Sequence, residues 1–156
     1  MHISVSRARL VLAALLIAVL SAWIFVPGLG GGFVFDDRPN IVQNTSLHLA
    51  PGANLDDLLY GIYSFQPGNG SRSLAMLSFA IDHWRGGLDP QVFKITNLVI
   101  HGITVFVLFF LIRRVLSLGG WPERLVARGA LLLALVWAIH PLQVSSVLYV
   151  VQRMQT

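Results

Sequence analysis

Three apolar runs without a charged residue constrain this chain more than any other feature. Residues 10–26 give 17 such positions, residues 95–112 give 18, and residues 129–151 give 23. A helix needs about 17–25 apolar residues to cross the roughly 30 Å hydrocarbon core of a bilayer. Three runs of this kind in 156 residues point to a membrane chain with few spans. The composition agrees, at 12% charged residues and a mean hydropathy of +0.71, against about 25% charged in an ordinary soluble domain. Cysteine is absent, which excludes a disulfide framework and a thiolate metal site. The net charge of +4 could suggest nucleic acid. The Lys and Arg are scattered, however, with no basic stripe and no interleaved aromatics, so no nucleic-acid partner is expected.

The expected fold class is all-α membrane: three transmembrane helices with a structured outer loop carrying short interfacial helices. The first span covers residues 10–26. Its apolar core exceeds the roughly 7–15 residues of a cleaved signal and no A-x-A site follows, so it is expected to stay as an uncleaved anchor. The second covers 95–112 and ends at Arg113 and Arg114. Pro141 breaks the third run, because proline removes a helix donor and clashes with the preceding turn. The third span is therefore placed at about 122–140, starting at Pro122. Arg7 and Arg9 precede the first span, and Arg113, Arg114, Arg124 and Arg128 surround the short 113–121 connection. Positive charge marks the cytoplasmic side. The N-terminus is thus expected inside, and loop 27–94, with six Asp, on the periplasmic or extracytoplasmic side with the tail 141–156.

Sixty-eight residues are too many for a structureless connection. Asn54 is a good N-cap for a short helix with Leu55, Leu58, Leu59 and Ile62 on one face. Residues 66–69 read as a break, and residues 74–84 as a second helix. Amphipathic helices beside a membrane lie in the interface plane, so membrane lipids are expected partners. No internal repeat, low-complexity tract or second soluble domain is visible.

Several residues in this frame can carry chemistry. Asp36 and Asp37 are adjacent carboxylates shortly after a span, suited to general-base work or to holding a divalent cation; Asp-rich turns also produce such pairs. Arg72 can pair with a carboxylate or phosphate, or be a solvated loop residue. His101 falls inside a span, where an ionisable group marks a functional site or bonds a neighbouring helix. His140 stops the third span, and Arg153 closes a Val-rich segment. No pair of the five His has metal-ligand spacing, so no metal site is assigned. The triplets at 44–46 and 69–71 match the N-glycosylation pattern, which is common by chance.

In order along the chain stand Phe-Val-Phe-Asp-Asp-Arg-Pro-Asn-Ile-Val-Gln-Asn (33–44), Ser-Arg-Ser-Leu (71–74), Phe-Ala-Ile-Asp (79–82), Phe-Lys-Ile-Thr-Asn (93–97), His101, Ala-Ile-His-Pro-Leu (138–142) and Tyr-Val-Val-Gln-Arg (149–153). This series resembles the N-terminal membrane region of the protein O-mannosyltransferase-like family, in particular the transmembrane proteins that carry tetratricopeptide repeats. The resemblance covers about residues 10–154. It implies a GT-C class glycosyltransferase that moves a sugar from a lipid-phosphate donor to an acceptor hydroxyl on a protein or glycan. It further implies Asp36 or Asp37 as catalytic base, with Arg72, His101, His140 and Arg153 lining or supporting the site and binding phosphate. The chain departs from the family at Ser73, where proline is usual, and at Lys94. Family members also have more spans, so a truncated fragment without full activity of its own is expected. The rival readings are a non-catalytic assembly module, docking through Leu55, Leu58, Leu59 and Ile62, and a transporter fragment using His101.

Overall fold

A computed structural model describes residues 7–50, 52–65 and 72–155. The main elements among these described residues are six α-helices: α1 (Arg7–Phe25), α2 (Leu55–Ile62), α3 (Ser73–Gly86), α4 (Pro90–Leu118), α5 (Glu123–Ala138) and α6 (Gln143–Leu148). Short helical turns at Val26–Gly28, Arg38–Val42, Thr45–Leu47 and Val150–Met154 complete them. The described residues contain no strand. The expected break at 66–69 and the triplet at 69–71 lie outside the described residues.

The chain divides into two compact units. The first comprises α1, α4 from Leu98 onward, and α5. Small residues fill its interior: Ala14 and Ala18 on α1, and Ala127, Ala130, Ala134 and Ala138 on one face of α5. Phe109 and Val105 of α4 pack with them. The large side chains point outward instead. Leu12, Leu16, Val19, Leu20 and Trp23 are exposed on α1, and Val99, Ile103, Val107, Leu111 and Val115 form an exposed stripe at four-residue spacing on α4. A water-soluble bundle has the reverse arrangement. Small residues between helices and large apolar ones facing out suit a bilayer, where close backbone packing and not water exclusion drives helix association. Polar side chains here find helix partners: Ser21 Oγ donates to the Ala18 carbonyl at 2.9 Å, and Thr104 Oγ1 to the Ile100 carbonyl at 2.9 Å.

Among the described residues, two helices are long and apolar enough to cross a membrane, over Ala8–Gly28 and Pro90–Leu118. Only 33% of the first apolar window and 22% of the second are buried, so neither is the core helix of a soluble protein. This is a membrane protein. α4 is longer than the expected 95–112 because its start is well capped. Pro90 occupies the first helical position, and the Asp89 carboxylate accepts the Gln91 N–H at 3.0 Å. α5 stands where the third span was expected, but its 16 residues reach only about 24 Å.

The second unit comprises residues 27–97 and 144–155. The helix expected after Asn54 forms with a full capping box: Asn54 Oδ1 accepts the Asp57 N–H at 2.9 Å, and Asp57 Oδ2 accepts the Asn54 N–H at 3.0 Å. Leu55 and Leu59 of that helix are exposed, whereas Leu58 packs against the core. α3 supplies Ala75, Met76, Phe79 and Ala80 to this core, beside Ile41, Leu47 and Phe93. Val150, Val151 and Met154 close it. The C-terminal residues are therefore not a tail. They are the piece that completes the core of the long loop.

Candidate active site

The acidic pair sits in a tight turn after the glycine-rich stretch 28–32, and its two members are not equivalent. Asp37 is fully buried. Its Oδ2 accepts the Val34 N–H at 3.0 Å and its Oδ1 accepts the Val151 N–H at 2.7 Å. Burial raises the Asp37 pKa above the ordinary carboxylate value, against the lowering by the Val34, Val151 and Val150 N–H groups and the Lys94 charge. Asp36 is exposed. Its N–H donates to Tyr149 Oη at 3.0 Å, and its carbonyl accepts Asn40 Nδ2 at 2.8 Å. One carboxylate of the pair is thus a buried fastener and the other faces outward.

The preceding residue explains how adjacent side chains part so sharply. Phe35 has φ 41, in the left-handed region that residues with a Cβ rarely adopt. It is 83% exposed, and its ring meets Tyr149 edge-on at 6.3 Å. Nearby, Lys94 is buried and its Nζ donates to the carbonyls of Gly31 at 2.6 Å and Gly28 at 3.3 Å. Lys94 thereby holds the glycine-rich exit. The sequence marked it only as a departure from the family, because nothing in its spacing predicts carbonyl partners more than sixty residues away.

Arg153 is buried within a dense polar frame. Its Nε donates to Asn97 Oδ1 at 2.6 Å, and its Nη1 to Ser78 Oγ at 2.8 Å and Asp82 Oδ2 at 2.7 Å. Its Nη2 donates to the Phe93 carbonyl at 2.7 Å, and its guanidinium lies 4.7 Å from the Phe79 ring centre. Burial pushes the Arg153 pKa down while Asp82 pulls it up. Asp82 also accepts Thr96 Oγ1 at 2.6 Å, and Asn97 Nδ2 donates to the Val147 carbonyl at 3.2 Å. The motif residues Asp82, Asn97 and Arg153, far apart in sequence, form one network.

Arg72 is exposed at the start of α3 with φ 66. Its guanidinium lies 4.6 Å from the Phe65 ring centre, and Nη1 approaches Met154 Sδ at 3.6 Å. Of the expected site residues, Asp36, Asp37, Arg72 and Arg153 share the second unit, and His101 and His140 belong to the first. His101 is buried, with Nε2 at 3.2 Å from the Ala138 carbonyl. Its ring stacks on Trp137 at 5.6 Å and meets Phe25 edge-on at 5.3 Å. His140 is exposed past the end of α5 and accepts the Leu142 N–H through Nδ1 at 3.3 Å. Among the described residues no three His, Asp or Glu converge where they could hold a metal ion. With Asp37 turned inward, the acidic pair offers one exposed carboxylate and not a two-carboxylate cradle for a divalent cation.

Fold and site together describe an all-helical membrane protein that presents one exposed acid on a turn fastened by buried charges. Comparison with known proteins gives that class a relationship. The chain is 33% identical over 90% of its length to protein O-mannosyl-transferase TMTC4 of Mus musculus. It is 30% identical over 87% of its length to protein O-mannosyl-transferase Tmtc1 of Drosophila melanogaster, and 30% over 78% to TMTC3 of Mus musculus. It spans only 20%, 15% and 13% of these relatives, respectively. No family model matches, and no solved structure does. The resemblance read from the ordered motifs is borne out: over most of its length this chain is similar to proteins named O-mannosyl-transferases.

Proposed function

We propose that this chain carries the general base of a membrane glycosyltransferase, and that the base is Asp36. The observation that supports this choice is the division of labour in the acidic pair. Asp37 is buried and bonded to two backbone N–H groups, while Asp36 is exposed on a turn held in a strained backbone. Strain of this kind gathers at functional sites. The relatives' names suggest a mannosyl group and an acceptor hydroxyl. In the proposed step the Asp36 carboxylate takes the acceptor's proton while the acceptor oxygen bonds to the anomeric carbon. The bond from that carbon to the lipid phosphate breaks, and the phosphate leaves with the electron pair.

Arg72 is the better placed of the two arginines to meet that phosphate, because it is exposed. Arg153 supports the site through the frame it braces. His140 stands exposed past the end of α5, and His101 supports the membrane unit by bonding α4 to α5. The proposed topology has α1, α4 and α5 as three spans, the N-terminus in the cytoplasm and residues 27–94 outside. α2 and α3 then lie in the interface, where exposed Leu55, Tyr60, Leu74 and Trp84 meet lipid. The direct test is Asp36→Asn in the protein as its own cell makes it. Mannosyl transfer from a lipid-phosphate donor is expected to fall by about 10²–10⁴-fold with the folded yield unchanged. Full transfer by this variant refutes the assignment.

A further inference from the structure

We infer that Tyr149 is a positioning residue for Asp36, holding the turn so that the exposed carboxylate has one direction. This inference rests on the reading of Asp36 as the base. Tyr149 stands between α6 and the final turn, and its hydroxyl accepts the Asp36 N–H at 3.0 Å. The hydroxyl thereby ties the main chain of Asp36 to the segment that follows α6. The Tyr149 ring meets Phe35 edge-on at 6.3 Å, on the residue whose φ of 41 turns the chain.

Two residues further on, the Val151 N–H holds Asp37 at 2.7 Å. The turn is therefore fastened on both sides of Asp36 by one short segment, with Tyr149 on Phe35 and Asp36, and Val151 on Asp37. An exposed aspartate ordinarily samples several rotamers. A general base must point its lone pair at one proton, and small misplacements of reacting groups lower the rate strongly. Tyr149 fixes the backbone from which that carboxylate projects, without itself taking the proton.

Tyr149→Phe removes only the hydroxyl and keeps the ring on Phe35. In the full protein this variant is expected to lower kcat by about tenfold to a hundredfold, with an unchanged KM for the lipid-linked sugar and an unchanged unfolding midpoint. A wild-type kcat in Tyr149→Phe, beside an inactive Asp36→Asn, overturns the inference and leaves the base assignment standing. An active Asp36→Asn overturns the base assignment, and the inference with it. A raised KM, or a loss of rate matched by a loss of folded protein, gives Tyr149 a binding or structural role and also overturns the inference. Phe35→Gly is the second variant. It loosens the same turn at an exposed position whose left-handed backbone glycine accepts. It is expected to lower kcat in the same way, and a wild-type rate here overturns the inference even where Tyr149→Phe does not fold.

Discussion

At the scale of single residues, neighbours of the same type have been given opposite environments. Asp36 and Asp37 are chemically equal in the sequence, yet one is exposed and the other is fully buried. Burial raises the folded-state pKa of Asp37 above its ordinary value of 3.8, so folding favours the neutral acid. The resulting stabilisation is fully present below the unfolded value and is lost as pH rises through the folded one. The stability difference between wild type and Asp37→Asn is therefore expected to shift in favour of wild type as pH falls from neutral. Unfolding midpoints of both proteins across a pH series check this, and a pH-independent difference contradicts it. The substitution itself is expected to cost about 1–3 kcal/mol, because an amide cannot accept from both N–H groups without turning a donor toward one of them.

Between elements, the main brace joins α3 to the final turn at Val150–Met154. Asp82 and Arg153 meet at 2.7 Å with side-chain exposures of 1% and 4%. At such burial, removing one partner leaves the other's charge under-compensated, which costs about 3–5 kcal/mol, although Arg85 at 3.6 Å remains beside Asp82. Arg153→Met and Asp82→Leu are each expected to destabilise by about that amount, and the double variant by clearly less than the sum. Denaturant titration of the three variants tests this; strict additivity means that the pair is not the unit of stability. The sequence marked Arg153 as a phosphate ligand by resemblance, and Asp82 and Asn97 only as motif members. Their meeting was not legible, because no local period joins residues 82, 97 and 153. By contrast, the helix after Asn54 was legible down to its cap, since a capping box is written within four consecutive positions.

For the whole molecule, the proposed topology makes a labelling prediction that the cysteine-free sequence makes easy to check. A cysteine at Asp56, exposed on α2, is expected to react with an impermeant reagent from outside. A cysteine at Ser117, exposed in the last turn of α4, is expected to react only after the membrane is opened. The opposite pattern reverses the orientation. A Ser117 cysteine that reacts from the same side as the Asp56 one removes α4 as a span.

What the sequence determined by itself was which stretches form long apolar helices. Apolar length and charge-free runs are local quantities, so α1 and α4 were visible as helices long and apolar enough to cross a membrane, and the loop as a folded region with two helices. The ordered motifs also carried the relationship to the O-mannosyl-transferases. Only the tertiary structure decided which aspartate faces outward, and that residues 144–155 belong to the core of the loop. Both depend on contacts across more than a hundred residues, such as Val151 on Asp37 and Tyr149 on Asp36. Side-chain burial at that range is set by the packing of Val150, Val151 and Met154 among Ile41, Phe79 and Phe93, which no pattern along the chain encodes.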